Sequence, residues 1–450
     1  MGKHNIEKYS LGYQALYSWS KILHDSLYLK AHVFNRPAKI DSPHMFTLNH
    51  QNALMDAMAI LFAANRPLVF LARSDIFKNP KVASALYFLK ILPVFRIRDG
   101  FENLKNNDEV FENTVRVLNY PRALAILPEG NHLGFKRLRQ LQKGFARIAF
   151  QTMESNPESG RFYIIPTGID YENYEKFGTR LIVNFGQPFE ISEYYKIYCT
   201  NQAQGLTDLR NRLENELKKL IIHIDSERWY STILKITDFN SEIGRSNNER
   251  PKQIFIQNQQ LAKHLSAQPN NSELLFNLET DVNDLDSLLS KLNLHISEVC
   301  QKRQFFDKFI KLLALIPVMV LAIPGFVLFG WFFHLLKHIT QNKIKDVQFR
   351  TSVRYAASIA GFALLAIIES LFILFVLPWY FYPLTIVGTL FSGWIGIKGF
   401  PYFKSTYKGL KTCLLDIANN SDIHSAIKLK TKIFDQIVQL KTDYGIQTGK

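Results

Sequence analysis

A histidine and an aspartate stand six positions apart in the run Leu48-Asn49-His50-Gln51-Asn52-Ala53-Leu54-Met55-Asp56. A carboxylate bonded to one imidazole nitrogen fixes the tautomer and leaves the other nitrogen to take a proton, which is general-base chemistry. The spacing restricts how the two can meet. Six residues along one helix turn through about 240°, so they share no helical face. Met45–Leu48 is short, apolar and β-compatible, Asn52 suits a helix N-cap, and Ala53–Ala64 is rich in Ala, Leu, Met and Ile. Asp56 therefore falls in the first turn of a helix and His50 in the loop before it. They meet only if the polar Asn-His-Gln-Asn run folds back.

The elements that must position this pair can be read from residue 45 to 190, where short apolar runs alternate with helical patterns. Strands are expected at Met45–Leu48, Leu68–Ala72, Ile91–Ile97, Ala123–Leu127, Phe162–Ile169 and Leu181–Phe185, and helices near 53–64, 79–90, 106–119 and 141–153. That order predicts an α/β domain on a mixed, mostly parallel sheet. In such sheets function collects at strand ends, and the unusual residues fall there. Pro93-Val94-Phe95-Arg96 carries a guanidinium able to hold a phosphate bidentately, with Arg98 close behind. Pro128-Glu129-Gly130-Asn131-His132 offers a carboxylate beside an unobstructed backbone. A basic stretch follows through Lys136, Arg137, Arg139, Lys143 and Arg147. Ile165-Pro166-Thr167-Gly168 comes next and, taken alone, reads as a strand terminator. Each segment also has a plainer reading: Arg96 as a surface arginine, the basic run as a solvated helix face.

Taken in order, these four segments resemble the four ordered blocks of the glycerolipid acyltransferase family, which includes glycerol-3-phosphate and 1-acylglycerol-3-phosphate acyltransferases. The resemblance covers about residues 35–190. Five residues separate His50 from Asp56 where the family usually has four, which is similar to the branch acting on glycerol 3-phosphate or dihydroxyacetone phosphate. Asn131-His132 stands in place of the common Thr-Arg. Gln140 and Gln142 replace a Pro and a Lys, leaving Lys143 as the matching basic residue. The resemblance implies that His50, oriented by Asp56, deprotonates a glycerol hydroxyl as it attacks an acyl thioester. It further implies that Arg96 holds the substrate phosphate, and that Glu129, Gly130 and Lys143 line the substrate site. Asn49, Asn52, Arg98, His132 and Pro166 are expected either to touch that phosphate or to support the site. No metal or redox cofactor is implied, because the thioester (of CoA or of acyl carrier protein) is already activated. The same chemistry on 1-acylglycerol 3-phosphate is the runner-up. A non-catalytic lipid-binding scaffold on the same fold is the third reading, and the joint presence of His50, Asp56, Arg96 and Glu129 counts against it.

The net charge of +15 calls for an anionic partner, either a phosphorylated substrate, an anionic membrane or a nucleic acid. The apolar C-terminal region sets the nucleic acid aside. Cys199, Cys300 and Cys413 are too few and too scattered for a disulfide framework. Met1–Lys30 is not read as a signal peptide, and Tyr9–His32 is compatible with one amphipathic helix, packed on the domain or on a membrane. Residues 225–305 are polar and helix-compatible, broken at Pro269-Asn270-Asn271. Leu312–Leu336, Val353–Leu377 and Trp379–Ile397 are each near the ~20 residues that span a bilayer. Lys and Arg flank all but the turn at Trp379–Pro383, so the positive-inside rule favours a re-entrant hairpin followed by a two-span hairpin. The expected organisation is thus an N-terminal amphipathic helix (1–34), an acyltransferase domain (35–224), a helical linker or stalk (225–305), membrane-embedded hairpins (306–400) and a basic helical tail on the membrane surface (401–450). The expected location is an integral membrane protein with its catalytic domain on the cytoplasmic face.

Overall fold

The computed structural model describes residues 10–66, 68–94, 114, 116–118, 123–131, 134–155, 161–300, 304–376 and 378–446. The chain forms two compact units, Met1–Ile221 with Ile344–Tyr355, and Ile222–Lys343 with Ala356–Lys450.

The first unit is an α/β domain. In chain order it runs α1 (Leu11–Leu27), β1 (Lys30–Phe34), β2 (His44–Leu48), α2 (Ala53–Ala64), β3 (Leu68–Arg73), a 3₁₀ turn at Ser74–Phe77, α3 (Pro80–Phe88), β4 (Ile91–Val94), β5 (Ala123–Ile126), α4 (Gly144–Ser155), β6 (Tyr163–Tyr171), β7 (Arg180–Phe185), β8 (Phe189–Glu190), α5 (Ser192–Thr200) and α6 (Gln202–Lys218). The strands make one sheet in the order β1-β7-β6-β2-β5-β3-β4, with β8 added beside β6. Pairing is parallel throughout, except that β6 runs antiparallel to β7 and β8. The mixed, mostly parallel sheet is therefore present.

Central strands covered on both faces are continuously apolar, and β2 is buried at every position. Residues in register share a face. Met45 pairs with Leu124 on β5 and Ile164 on β6, and Leu124 pairs with Val69 on β3. That row is buried with Phe145, Ala149 and Phe150 of α4 and Leu209, Leu213 and Leu217 of α6. α2 is apolar nearly all round and mostly buried, and it ends on Asn65 in the left-handed region.

Two boundaries depart from the sequence reading. The first helix stops at Leu27, and Lys30–Phe34 pairs with β7 as an edge strand. The helix is packed through Tyr13, Leu23, His24 and Leu27, while Leu11 and Ile22 face outward. β6 runs through Pro166 and ends at Tyr171, two residues beyond the expected Phe162–Ile169. A central proline is tolerated there because β6 changes neighbour at that point, pairing with β8 through Tyr163 and Ile164 and with β7 from Thr167 onward. Gly168 is needed in this strand, since a Cβ would stand 2.3 Å from the Leu220 carbonyl oxygen. The remainder of the strand expected at 91–97 lies outside the described residues.

The second unit is helical: α7 (Tyr230–Ser246), α8 (Pro251–Ser266), α9 (Glu273–Leu292), α10 (Ile296–Cys300), α11 (Phe305–Leu321), α12 (Ile323–Lys343, with a π turn at Phe326–Gly330), the later part of α13 (Val347–Val376), α14 (Tyr382–Ile417) and α15 (Ser421–Asp443). The break around Pro269 falls between α8 and α9, where Ser272 caps α9. The stripe Leu278, Val282, Leu285, Leu289 and Leu292 is buried, and α9 packs against α15. The apolar face of α15 (Ile423, Ala426, Ile433, Ile437) is accordingly covered by protein. Among the described residues one helical stretch, Val347–Glu369, is long and apolar enough to cross a membrane. α11 and α12 meet that test only as a pair, bent by 56°.

Candidate active site

The C-terminal ends of β2, β5 and β6 lie side by side, because β5 and β6 flank β2. The loop after β2 folds back as its polar residues allow. His50 Nδ1 lies 2.8 Å from Asp56 Oδ2, with the imidazole side chain 16% exposed and the carboxylate 0% exposed. The same carboxylate oxygen accepts the backbone N–H of Gln51 and of Asn52, each at 2.8 Å. Its other oxygen accepts the hydroxyl of Tyr171, at the end of β6, at 2.8 Å. Four donors thus converge on an acceptor-only group, and both ends of the carboxylate are held. With Nδ1 committed to Asp56, Nε2 is the nitrogen positioned to act as a base.

Glu129, on the loop after β5, is 6% exposed. Its Oε1 accepts the His50 backbone N–H at 2.7 Å and its Oε2 that of Arg139 at 3.2 Å. It clamps the His50 loop to the loop after β5. Gly130 follows with φ +67°, a left-handed conformation that glycine adopts without strain, and its N–H returns to the Leu127 carbonyl at 3.2 Å.

Burial pushes the Glu129 carboxyl up to about 8, against the pull of the two N–H donors. An acid whose folded pKa exceeds its unfolded value holds a proton in the folded state that the unfolded state has lost. Its stabilisation is complete below about pH 4.5 and is lost as pH rises toward 8. The expected result is an unfolding free energy that declines over this window by up to about 1.4 kcal/mol per pH unit. Glu129→Gln should flatten that slope, and equal slopes in denaturant titrations of the two proteins at pH 5 to 8 would contradict it.

The other residues singled out from the sequence are placed as follows. Asn49 is buried and bridges to β6, donating to the Ile169 carbonyl at 2.9 Å and accepting its N–H at 2.7 Å, so it acts as one more rung of the sheet. Asn52 donates to the Tyr174 carbonyl at 3.0 Å. Pro166 lies within β6, opposite Thr47. Lys143, just before α4, donates to Thr207 on α6 at 2.8 Å. Arg96, Arg98 and His132 lie outside the described residues. Lys136 and Asp170 form a buried ion pair at 2.5 Å, and Lys136 also donates to the Tyr171 carbonyl at 3.0 Å, steadying the end of β6.

Sequence reasoning missed two contributions. Tyr171 stands two residues past the strand expected at Phe162–Ile169, and nothing in the spacing ties a tyrosine there to Asp56. Thr351 and Ser352 also reach this loop, from about 300 positions further on, with no motif to announce them.

Residues 29–170 match the family model described as Acyltransferase. The chain is 23% identical over 367 residues to Glycerol-3-phosphate O-acyltransferase 1 of Saccharomyces cerevisiae, a match covering 75% of this chain and 47% of that protein. It is 20% identical over 251 residues to Glycerol-3-phosphate O-acyltransferase 2 of the same yeast, covering 54% of this chain and 33% of the relative. The chain therefore spans less than half the length of either. A solved structure, the 1-acyl-sn-glycerophosphate acyltransferase of Thermotoga maritima, aligns with TM-score 0.33 and 15% identity over 46% of this chain and 76% of that one.

Proposed function

We propose, from the match of residues 29–170 to the Acyltransferase family model, that the chain transfers a fatty acyl group from a thioester donor to a hydroxyl of glycerol 3-phosphate or dihydroxyacetone phosphate. The observation that carries this reading is the His50–Asp56 hydrogen bond, made within those residues at the C-terminal end of a central strand. His50 Nε2 takes the proton from the acceptor hydroxyl as its oxygen attacks the thioester carbonyl. Asp56 faces the imidazolium that forms. The carbon–sulfur bond then breaks, and the leaving thiolate takes the proton back from His50, giving ester and free thiol. This parallels the His–Asp half of a serine-protease triad, with the substrate supplying the hydroxyl.

Arg96 is the phosphate ligand in this proposal, supported by its block in the sequence. Gly130 and the surface around Glu129 form the floor of the acceptor site, and Lys143 adds positive charge. The acceptor is chosen on the His-to-Asp spacing and on the activity that both yeast relatives are named for. The second unit is the membrane anchor, supported by the part of the apolar stretch Val347–Glu369 that lies beyond Tyr355 and by exposed Phe306, Ile310, Phe326, Phe372, Phe375 and Leu384. The basic flanks favour a cytoplasmic catalytic domain.

The test is an assay of full-length, detergent-solubilised protein with labelled acyl-CoA, offering glycerol 3-phosphate and 1-acylglycerol 3-phosphate in parallel. Transfer to the first is the expected result, with acyl carrier protein as the second donor to try. Transfer confined to the second would replace the acceptor, and no transfer with either donor would favour a scaffold. Release from membranes by an alkaline wash without detergent would contradict the anchor.

A further inference from the structure

We infer that Thr351 and Ser352 are positioning residues for the His50–Asp56 base, an inference that rests on the base assignment above. All the groups concerned belong to the first compact unit, which includes Ile344–Tyr355.

The catalytic loop needs outside support. Ala53 opens α2 with φ 40°, a left-handed conformation that is strained for a residue with a Cβ. Such strain persists only where the surroundings over-determine it. The first turn of a helix also leaves N–H groups without intrahelical partners, and the Asn52 side chain, at the N-cap position, makes no capping bond. The cap arrives from elsewhere. Ser352 Oγ accepts the Leu54 N–H at 3.1 Å and donates to the Asn52 carbonyl at 3.3 Å, the same carbonyl that accepts the Met55 N–H at 2.8 Å. Thr351 Oγ1 donates to Asn52 Oδ1 at 2.8 Å, with the Tyr174 carbonyl 3.2 Å away. Thr351, Ser352 and Asn52 are all buried. One turn on, the Tyr355 hydroxyl donates to the Ser20 carbonyl at 2.7 Å and ties this segment to α1.

The consequence reaches the base through one residue. Asn52 is held by its side chain and its carbonyl, and its own N–H is one of the donors that fix Asp56 Oδ2 against His50. Removing the two hydroxyls frees Asn52 to shift and takes the Asp56–His50 bond with it. Because a misplacement of about 1 Å costs on the order of 10²-fold, a partial loosening is expected to show in turnover rather than in substrate binding.

The experiment uses the full chain in detergent. Thr351→Val and Ser352→Ala are each expected to lower kcat about tenfold with KM for both substrates within about twofold. Thr351→Ser, which keeps the hydroxyl, restores the rate. In Ser352→Ala, amide hydrogen exchange should accelerate at Leu54 and Met55 and stay unchanged at Ile164 in the sheet. Wild-type kcat in both variants would overturn the inference. So would a loss that tracks unfolding across the whole domain and is not restored by Thr351→Ser. His50→Ala, run alongside, separates the two readings. Activity surviving there removes the base assignment, and the positioning role with it. Activity lost there but intact in both hydroxyl variants removes the positioning role alone.

Discussion

Replacing His50 by alanine is expected to lower kcat/KM for acyl transfer by roughly 10²–10⁴-fold, the range a positioned general base supplies. The fold should survive the change, because the imidazole is the partly exposed partner of the pair and the loop's other ties do not pass through its ring. Glu129 grips the His50 backbone N–H, and Asp56 keeps the N–H groups of Gln51 and Asn52 together with the Tyr171 hydroxyl. Folded, monodisperse His50→Ala protein with near-zero turnover is the expected result. A folded variant within tenfold of wild type would show that the acceptor hydroxyl loses its proton to another group.

The second large effect is expected from Asp56→Asn, and the geometry makes that variant informative. Among the described residues, Asp56 Oδ2 receives three donors while Oδ1 receives only the Tyr171 hydroxyl. An asparagine can keep its carbonyl oxygen where Oδ2 stands and turn its NH₂ toward Tyr171, whose hydroxyl can rotate and accept. The loop is then retained and the negative charge facing the imidazolium is lost. A fall in kcat of roughly 10²-fold or more follows with little change in stability, by analogy with the loss of the aspartate in a Ser-His-Asp triad. Asp56→Ala, which strands several buried donors, should in addition destabilise the domain by about 1–3 kcal/mol. Parallel kinetics and thermal unfolding of the two variants separate charge from scaffolding. Near-normal kcat in Asp56→Asn would reduce Asp56 to a loop anchor.

Much of the fold was legible because the sheet is buried on both faces. Met45–Leu48, Leu68–Ala72, Ala123–Leu127 and Leu181–Phe185 are apolar runs too short for helices, and each is a strand to within a residue or two. β1 was missed for the opposite reason: Lys30-Ala31-His32-Val33-Phe34 lies at the sheet edge, only partly covered, and carries no continuous apolar signal. β6 was legible as a strand at Phe162–Ile169, but only its change of neighbour between β8 and β7 explains why a proline, which lacks an N–H, sits inside it.

The same division runs through the candidate site. Spacing along the chain determined that His50 and Asp56 could meet only across a strand-to-helix loop, since helical rotation forbids any other way, and local bonding then closes that loop. It also placed Glu129 at the next strand end. What short-range pattern cannot encode is which distant groups complete the constellation. The insertion of β5 and β6 on either side of β2 brings Glu129 to the His50 N–H and Tyr171 to Asp56. The docking of Thr351 and Ser352 caps a helix that its own N-cap residue leaves uncapped. Those partners lie between 79 and 300 positions away, where the energy of a hydrogen bond depends on how the whole domain packs and leaves no periodic trace in the sequence.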